Sequence, residues 1–407
     1  MNVLIIGKNW PESVSSAAGT RTLDLIRCFQ QAQWSVHLAS DALATEHSDP
    51  LPQVTKHRIQ LNHESFDAWI QKLDPQVVIF DRFMTEEQFG WRVAQQCPDA
   101  LRVLDTSDLH CLRDTRQRWF KKHRSPIPDD QLVAQLKASP IAQREIPALC
   151  RCDLNLMISP VEMAILDDVF NLDAQWRHWL PFLVPSPSTP PVPFQDRHHM
   201  MFIGGFLHEP NVDAVQWLAQ EIWPLVQSRL PGVECHIYGA YAPEKILQLQ
   251  KPKQHFFVKG RAQDAQACMA QYRINLAPLR FGAGNKGKIL DGWVTGTPTV
   301  TTPIGIEGML PPGTKIQVSD NAKELADYIV QLYQSEQLWL HAQEQGAKCL
   351  APLTFDQHQP QLIKRIEEIS SNLVEHRQGN FWGQVLSQQQ YRATEFMARW
   401  IEAKNKL

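Results

Sequence analysis

A glycine-rich loop with basic neighbours offers the clearest chemistry in the sequence. In the stretch PLRFGAGNKGKILDGWVTGTPTVTT, residues 278–302, Gly282, Gly284 and Gly287 form the pattern G-x-G-x-x-G. Together with Lys288, the first and last of these glycines also form G-x-x-x-x-G-K. Both patterns are typical of loops whose backbone approaches phosphate groups. The loop therefore predicts a phosphate-containing ligand, and the flanking residues decide which kind.

Neighbouring residues argue against the two best-known uses of these patterns. A dinucleotide fingerprint begins directly after its strand, whereas residues 278–281 intervene here; Glu307 follows at about the expected twenty residues, but within a loop. A triphosphate loop needs Ser or Thr after its lysine to hold Mg²⁺, and this chain has Ile289. A turn that serves only packing is a third interpretation, although three glycines among basic residues would be costly for that purpose.

A nucleoside diphosphate fits the loop better than these alternatives. The helix predicted to begin near Asn285 or Lys286 would direct its amide groups and its positive dipole end toward the phosphates. Arg280 and Lys286 would add full charges without a metal ion. Asp291 would lie about one turn into the helix, where its carboxylate could accept hydrogen bonds from ribose hydroxyls. We therefore predict a site that needs no metal and stabilises a diphosphate as a leaving group.

Composition places the chain among globular proteins with no global attraction to nucleic acid. Its 407 residues are 43% hydrophobic and carry a net charge of −3, so an anionic ligand must meet a local basic patch. The eight cysteines are scattered, and the closest pair, Cys150 and Cys152, lacks zinc-site spacing. The N-terminus has the pattern of a first strand rather than a signal peptide, and no run approaches the roughly 18 to 20 apolar residues of a membrane span. These features predict a soluble, cytoplasmic protein.

Short apolar runs alternate with amphipathic helical patterns, which predicts an α/β fold with buried parallel strands. Six prolines between positions 181 and 194 interrupt the alternation and favour a stiff linker. Two doubly wound domains are therefore expected to face each other across a cleft. The predicted division is an N-terminal domain over 1–184, a linker over 185–198, a C-terminal domain over 199–365 and a helical segment over 366–407 that could pack back on the first domain.

Four segments resemble the donor-binding domain of GT-B glycosyltransferases, most closely the large retaining family 4. They are FIGGFLHEPNVDAVQWLAQEIWPLV, VECHIYGAY, VKGRAQDAQACMAQYRINLAPLRFGAGNKGKI and GTPTVTTPIGIEGM. The resemblance covers most of residues 1–365 and is strongest over 200–309. It implies two Rossmann-like domains and a retaining sugar transfer from a UDP- or GDP-linked donor, without a metal. The donor-binding residues that it implies are Gly260, Arg261, Gly282, Gly284, Asn285, Gly287, Asp291 and Glu307.

The sequence departs from the family pattern at two positions. The E-x7-E pair of the family would fall at 283 and 291, where this chain has Ala283 and Asp291. Asp291 can take the ribose role with a side chain one methylene shorter, whereas Ala283 cannot contact a sugar hydroxyl. The donor sugar therefore stays open. So do two other functions, a GT-B sugar-nucleotide epimerase and a nucleotide-sugar-binding protein without turnover.

The N-terminal half contributes a loop and a strand end to the predicted site. In GT-B enzymes the loop that corresponds to GKNWPESVSSAAGTR borders the cleft, which implies that Ser15, Ser16 and Gly19 approach the donor phosphate or the acceptor. The segment DTSDLHCLR places Asp108 and His110 at the carboxyl end of a strand, where α/β chemistry usually lies. Sugar binding and helix capping are both open interpretations of these two residues. The catalytic candidates are Arg280, Lys286, Asp108 and His110.

The basic segment RQRWFKKHR, residues 116–124, surrounds Trp119 and Phe120 with cations. It predicts either a solvated helix face or a contact with anionic lipid headgroups, with the aromatic rings at the interface. No recognisable nucleic-acid module accompanies it, so a nucleic-acid partner is not expected. The expected partner is a sugar or glycolipid acceptor in bacterial surface polysaccharide or glycolipid synthesis. The protein would be cytoplasmic, at most peripheral on the inner face of the membrane.

Overall fold

Two parallel sheets organise the chain. A computed structural model describes residues 1–184 and 191–405, without the side chains of 389–391. Residues 185–190, the first part of the predicted linker, lie outside these ranges. The first sheet has the strand order β3-β2-β1-β4-β5-β6-β7, and the second has the order β10-β9-β8-β11-β12. Neighbouring strands pair in parallel in both sheets, so the predicted α/β class with two doubly wound sheets is confirmed.

The first sheet and its helices are built from residues 2–179. Its strands are β1 Asn2–Ile6, β2 Ser35–Ser40, β3 Val54–Arg58, β4 Val77–Asp81, β5 Leu101–Asp105, β6 Leu154–Met157 and β7 Arg177–Trp179. Its helices are α1 Ala17–Gln31, α2 Ser65–Leu73, α3 Phe83–Gln96, α4 His110–His123, α5 Asp129–Lys137, α6 Ala142–Arg151 and α7 Pro160–Phe170. The central strands are mostly apolar and mostly buried on both faces, as a sheet covered by helices requires.

The second sheet follows the same plan. Its strands are β8 His198–Ile203, β9 Cys235–Tyr238, β10 Phe256–Gly260, β11 Tyr272–Ala277 and β12 Thr299–Thr301. The helices of this half are α8 Glu209–Trp217, α9 Trp223–Gln227, α10 Glu244–Leu247, α11 Ala265–Met269, α12 Gly287–Val294, α13 Pro303–Ile306, α14 Ala322–Gln334 and α15 Glu336–Leu350. A π-helical turn at Leu218–Ile222 joins α8 to α9.

The last three helices return to the first sheet. They are α16 Phe355–Ser371, α17 Leu373–Gln378 and α18 Phe381–Asn405. Leu362 and Ile366 of α16 share a buried cluster with residues of β1 and β4. The first half thus includes α16, which begins ten residues before the position 365 at which the sequence suggests a boundary. The proposed division of the chain into domains stays a prediction.

The order of the strands decides where the loops meet. In each sheet the chain reverses its direction of growth between two neighbours, β1 and β4 in the first sheet and β8 and β11 in the second. Ligands of such sheets bind outside the carboxyl ends of the strands at this switch point. The loops that leave β1, β8 and β11 are therefore the ones that can build a shared site. Two of them carry the segments that the sequence singles out.

Candidate active site

The glycine loop after β11 packs directly on the first half of the molecule. Gly284 has φ +64°, and a Cβ added to it would lie 2.8 Å from the Cβ of Asp108 and 3.0 Å from the Cδ1 of Ile158. A side chain at this position would face both backbone strain and a collision. The backbone N–H of Gly284 donates to Oε1 of Glu162 at 2.7 Å. Only glycine allows the two halves to approach this closely here.

The loop after β1 covers the same glycine loop from the other side. A Cβ added to Gly287 would lie 3.0 Å from the Cβ of Ala17, and one added to Gly205 would lie 3.3 Å from the carbonyl oxygen of Ser15. Ser16 caps α1 by accepting the N–H of Gly19 at 3.1 Å. Ala17 thus contacts the glycine loop, the predicted residue Ser15 lies beside the loop after β8, and Ser16 and Gly19 shape the start of α1.

Two lysines of the glycine loop point into this junction. Nζ of Lys286 donates to the carbonyl oxygen of Gly284 at 2.6 Å, and Nζ of Lys288 donates to Oδ1 of Asn211 in α8. Burial and the positive charge of Arg116 lower the pKa of Lys286 to about 8, although the negative charge of Glu307 acts to raise it. Burial and the neighbouring charge of Lys286 lower the pKa of Lys288 to about 7. The two ammonium groups are thus held in dense surroundings that disfavour their charge.

Arg280, the third predicted cation of the loop, is already engaged. Its guanidinium donates two hydrogen bonds to the carboxylate of Asp213, at 2.9 and 2.7 Å. It also lies over the ring of Phe120, 4.7 Å from the centroid, and over that of Trp217, 5.1 Å away. This pairing uses Nε and Nη2 of Arg280, so a predicted contact with a diphosphate would fall to its Nη1.

The first half contributes Asp108 and His110. Asp108 pairs with Arg113, and Nδ1 of His110 lies 3.3 Å from a carboxylate oxygen of Asp108. Burial alone would raise the pKa of Asp108, but the charges of Arg113 and the two nearby histidines, His110 and His208, outweigh it and hold that pKa below its usual range. Asp108 therefore stays ionised beside the glycine loop, which brings together the two segments that the sequence nominates from opposite halves.

Glu145 satisfies the start of α4, where Asp108 and His110 lie. The backbone N–H groups of His110 and Cys111 donate to Oε1 and Oε2 of Glu145, at 2.9 and 2.7 Å. A carboxylate at this position also interacts favourably with the helix dipole. The amide groups at the start of α4 are thus occupied by protein. The side chain of Asp108 lies beside Gly284 of the glycine loop, whereas the ring of His110 packs edge-on against Phe83 within the first half.

Glu162 in α7 is a site residue that the sequence reasoning missed. Its side chain is buried, and its Oε1 accepts both the N–H of Leu109 at 3.0 Å and the N–H of Gly284 at 2.7 Å. Burial, together with the negative charge of Asp108, raises the pKa of Glu162 to about 8. In the sequence this residue lies in SPVEM, whose Ser and Pro indicate only a helix start. No local signal marks a carboxyl group that joins two halves.

His208, immediately before α8, was missed as well. Its ring keeps an accessible surface, yet the dense surroundings and the charge of Arg113 lower the pKa of His208 to about 3. Lys286 and Lys288 contribute to the same lowering. A neutral imidazole among three cations can donate a hydrogen bond to an anion without adding charge. The sequence did contain one indication of its role, because His208 lies in FIGGFLHEP, a segment that carries the family resemblance.

Arg116 joins the two halves rather than lying on a solvated face. Its guanidinium donates to both carboxylate oxygens of Glu307, each at 2.7 Å, and to the carbonyl oxygen of Gly282 at 3.0 Å. Phe120 is buried, with its ring 5.6 Å from that of Phe281. The expectation of a lipid-facing segment over 116–124 is therefore wrong for these two residues. Its exposed cations are Arg118, Lys121, Lys122 and Arg124.

The remaining predicted donor residues spread along the junction. Nδ2 of Asn285 donates to the carbonyl oxygen of Ile158 at 2.9 Å, so this side chain also ties the halves together. Asp291 accepts a hydrogen bond from Nε2 of Gln266 at 2.9 Å, and burial raises its pKa. Gly260 has φ +76° and an open environment at the end of β10. The junction is thus lined along its length by residues of both halves.

The loop after β1 reaches this end of the junction too. Arg261 lies 3.9 Å from the carboxylate of Glu12, and the hydroxyl of Tyr241 donates to the same carboxylate at 3.3 Å. Within the described ranges, no group of three or more His, Cys, Asp or Glu side chains is arranged to hold a metal ion. The charges that could meet an anionic ligand at the junction are those of lysine and arginine.

Comparison with known proteins agrees with this geometry. Residues 197–335 match the sequence model of the family described as glycosyl transferases group 1. No curated protein sequence matches the chain. Similar solved structures include Anabaena HepE in complex with UDP-glucose, with a TM-score of 0.60 and 11% identity over 92% of this chain and 100% of that one.

Two further structures share the architecture. WaaG, a glycosyltransferase involved in lipopolysaccharide biosynthesis, has a TM-score of 0.60 and 11% identity over 88% of this chain and 98% of that one. TarM of S. aureus, in a complex that contains UDP, has a TM-score of 0.55 and 15% identity over 74% of this chain. This chain spans 58% of the length of TarM. The protein therefore has the GT-B fold, and its residues 197–335 are similar to the glycosyl transferases group 1 family.

Proposed function

We propose that this protein transfers a sugar from a nucleoside-diphosphate sugar to a hydroxyl group of an acceptor. The observation that carries the proposal is the crowding of basic groups at the start of α12. Burial is the main cause of the lowered pKa values of Lys286, Lys288 and His208, and neighbouring positive charges lower each of them further. Such crowding is unfavourable in the free protein, and a multiply charged anion would relieve it.

The leaving diphosphate accounts for this arrangement. When the bond between the sugar and the diphosphate breaks, negative charge grows on the phosphate oxygen that departs. Lys286, Lys288 and the amide groups at the start of α12 would stabilise that charge from fixed positions. These groups would serve in place of a metal ion. We therefore propose a reaction that does not require Mg²⁺.

Asp108 and His110 lie on the opposite side of the junction and suit the sugar. An ionised carboxylate accepts hydrogen bonds from sugar hydroxyls, and its negative charge would favour the positive charge that develops on the sugar during departure. Retention of the anomeric configuration, as in family 4, is part of the proposal and rests on the sequence resemblance. Analysis of the product anomer by NMR would test it, and an inverted product would refute it.

The donor base and the pathway are proposed from similar proteins. HepE was solved with UDP-glucose and TarM with UDP, so a UDP-linked sugar is the first donor to test and a GDP-linked sugar the second. WaaG acts in lipopolysaccharide biosynthesis, and we propose a comparable role in bacterial surface polysaccharide or glycolipid synthesis. The acceptor would then be a sugar or a glycolipid, met by a cytoplasmic enzyme at the inner face of the membrane.

A binding protein without turnover is the second candidate, because Ala283 replaces the carboxylate that family members direct at the sugar. Ala283 packs against the apolar core of the first half. An epimerase that acts on the donor alone is the third. Incubation with a UDP-sugar separates the three: transfer or slow hydrolysis supports the proposal, conversion of the donor sugar supports an epimerase, and an unchanged donor supports a binding protein.

Thermal-shift measurements with UDP, GDP, ADP and NAD, each with and without Mg²⁺, provide the first test. A ligand at about 100 times its dissociation constant adds roughly 2.7 kcal/mol to the free energy of unfolding, which shifts the melting temperature visibly. Stabilisation by one nucleoside diphosphate without metal is expected and would name the base. Stabilisation by NAD alone, or only by a nucleotide with Mg²⁺, would contradict the proposed site.

A further inference from the structure

Helix α18 is a surface helix that is held in place by its inner face. Ala398 packs against the ring of Trp91, and both are almost fully buried. A Cβ added to Gly383 would lie 2.3 Å from the carbonyl oxygen of Cys150 in α6, so helix and partner touch there through backbone. Nε2 of Gln95 in α3 donates to Glu395 at 3.1 Å. These contacts fix the orientation of α18, and they therefore determine which of its residues face away from the protein.

That outer face is aromatic. Trp382, Phe396 and Trp400 are 67%, 68% and 60% exposed. Trp382 and Trp400 are separated by 18 residues, which is five full turns of an α-helix, and Phe396 lies one turn before Trp400. Met397 beside them is also exposed. Large aromatic side chains rarely line up on a solvated face without a partner, so this face is expected to be covered by something apolar.

The charges of α18 are divided between its two faces. Arg392 and Lys404 are exposed, and Nζ of Lys404 lies 5.3 Å above the ring of Trp400. The acidic residues are turned toward the protein, where Glu402 pairs with Arg92 and Glu395 accepts from Gln95. Arg399 pairs with Glu395 at 2.9 Å. The outer face therefore combines apolar rings with unbalanced positive charge.

We propose that this outer face of α18, formed by Trp382, Phe396, Met397 and Trp400 with Arg392 and Lys404, docks on an anionic lipid surface. Helices that lie in the membrane interface pair aromatic and apolar residues with basic ones in this way. Basic residues near an anionic leaflet each contribute about 1 kcal/mol of binding. The helix does not cross the bilayer, because no helix in the described part of the chain is long and apolar enough to do so.

A second copy of the chain fits this face less well. Arg392 lies next to the midpoint between Trp382 and Trp400, so a two-fold contact through the face would bring each Arg392 against its copy. Like charges in the middle of a contact oppose association.

The basic segment 116–124 is a weaker candidate for lipid binding than α18, since its Phe120 is buried. The proposed docking does not depend on the proposed reaction.

Flotation of the full chain with vesicles tests the proposal. Vesicles of equal parts phosphatidylglycerol and phosphatidylcholine should carry the protein, and vesicles of phosphatidylcholine alone should carry much less. Replacing Phe396→Ser and Trp400→Ser together should weaken binding about tenfold or more. The control is Leu338→Ser with Leu340→Ser on α15, two apolar side chains that are also exposed, and it should bind like the parent.

Charge variants supply the second arm. Arg392→Gln and Lys404→Gln should each weaken binding to the anionic vesicles about fivefold. Undiminished flotation of the Phe396→Ser and Trp400→Ser variant would overturn the proposal, as would loss of all binding on Lys121→Gln with Lys122→Gln. A dimer in sedimentation equilibrium without lipid, dissolved by the same α18 variant, would assign the face to a second copy instead. Hydrolysis of a soluble donor should be equal in all these variants, which separates docking from catalysis.

Discussion

The junction between the two halves contains two kinds of buried charge, and the protein treats them differently. Arg116 and Arg280 are each paired with a carboxylate through two hydrogen bonds, to Glu307 and Asp213. Lys286 and Lys288 have no such partner: a carbonyl and an amide oxygen accept from them, and their pKa values are lowered to about 8 and 7. The first kind joins elements of the fold, whereas the second kind is electrostatically strained.

This difference indicates which charged side chains stabilise the fold and which are expected to bind a ligand. A buried ion pair offsets its own desolvation cost, so its removal should mainly affect stability. Glu307 and Asp291 act electrostatically on Lys286 and Lys288, but burial outweighs them and lowers both pKa values. A buried cation that no carboxylate holds by a hydrogen bond costs stability in the free protein, and we expect it to act on a ligand. The sequence alone ranked Arg280 and Lys286 together as catalytic candidates. The structure separates them, and variants can test whether the separation is functional.

The largest effect is expected for Lys286→Ala. Loss of one fixed charge at the leaving diphosphate should lower turnover by about 10² to 10³. The variant should fold, because loss of the Lys286 side chain also removes its desolvation cost, which outweighs the attraction of Glu307. Steady-state kinetics and thermal unfolding would measure both quantities. Lys323→Ala, an exposed lysine of the same half, is the matched control and should match the parent.

Arg280→Ala sharpens the same contrast. It leaves Asp213 unpaired and removes a cation from the rings of Phe120 and Trp217, so stability should fall more than in Lys286→Ala while turnover falls less. A loss of turnover as large as that of Lys286→Ala, with unchanged stability, would place Arg280 at the diphosphate, as the sequence predicts.

The pH dependence of nucleotide binding should show the next largest effect. A bound diphosphate raises the lowered pKa values of Lys286 and Lys288 toward their usual range, so binding takes up protons. Affinity for UDP should therefore be highest below about pH 7 and fall about tenfold per pH unit as the pH rises through 7 to 8. Calorimetry in buffers of different ionisation enthalpy would detect the uptake. An affinity that is constant across this window would contradict the idea of crowded charge.

Asp291→Asn addresses the other end of the donor. If Asp291 accepts hydrogen bonds from ribose, loss of its charge should raise KM for the donor about tenfold, with a smaller effect on kcat. The partner Gln266 offers a control, because Gln266→Ala removes the observed hydrogen bond to Asp291 but not the carboxylate. Equal KM values for Asp291→Asn and the parent would remove Asp291 from the donor site.

The smallest effect is expected for Glu162→Gln. The raised pKa of about 8 means that Glu162 is largely protonated in the folded protein near neutral pH, and glutamine keeps a neutral acceptor for Leu109 and Gly284. Because the pKa of Glu162 is higher in the folded protein than in the unfolded chain, its proton stabilises the folded state. This stabilisation is fully present below about pH 4.5, the pKa of Glu162 in the unfolded chain, and is lost as the pH rises through about 8. Denaturation at about pH 6 and about pH 9 should therefore show that the parent loses more stability than the variant. A parent that loses less would reverse the assigned protonation.

Strands with strong apolar runs were predicted well, and the two weak strands were not. In the sequence, the runs SVHLAS at 35–40 and LRVLD at 101–105 predict buried strands, and they coincide with β2 and β5. Missed were β3, VTKHR, which is largely exposed at the edge of its sheet, and β7, which has only three residues. Neither strand carries a hydrophobic pattern of its own. Each forms because it pairs with a neighbouring strand, β3 with β2 and β7 with β6.

The glycine loop and its basic residues are local features, so the sequence alone determined a glycine-rich basic loop at the start of a helix in an α/β protein. Its binding of phosphate stays a prediction. Tertiary structure decided the rest: that Arg116 reaches Glu307, 191 residues away, and that Glu162 accepts from Gly284, 122 residues away. Spacing along the chain carries no information about such contacts. Whether a charge is paired or crowded depends on the neighbours that the fold brings to it, and burial then sets its pKa.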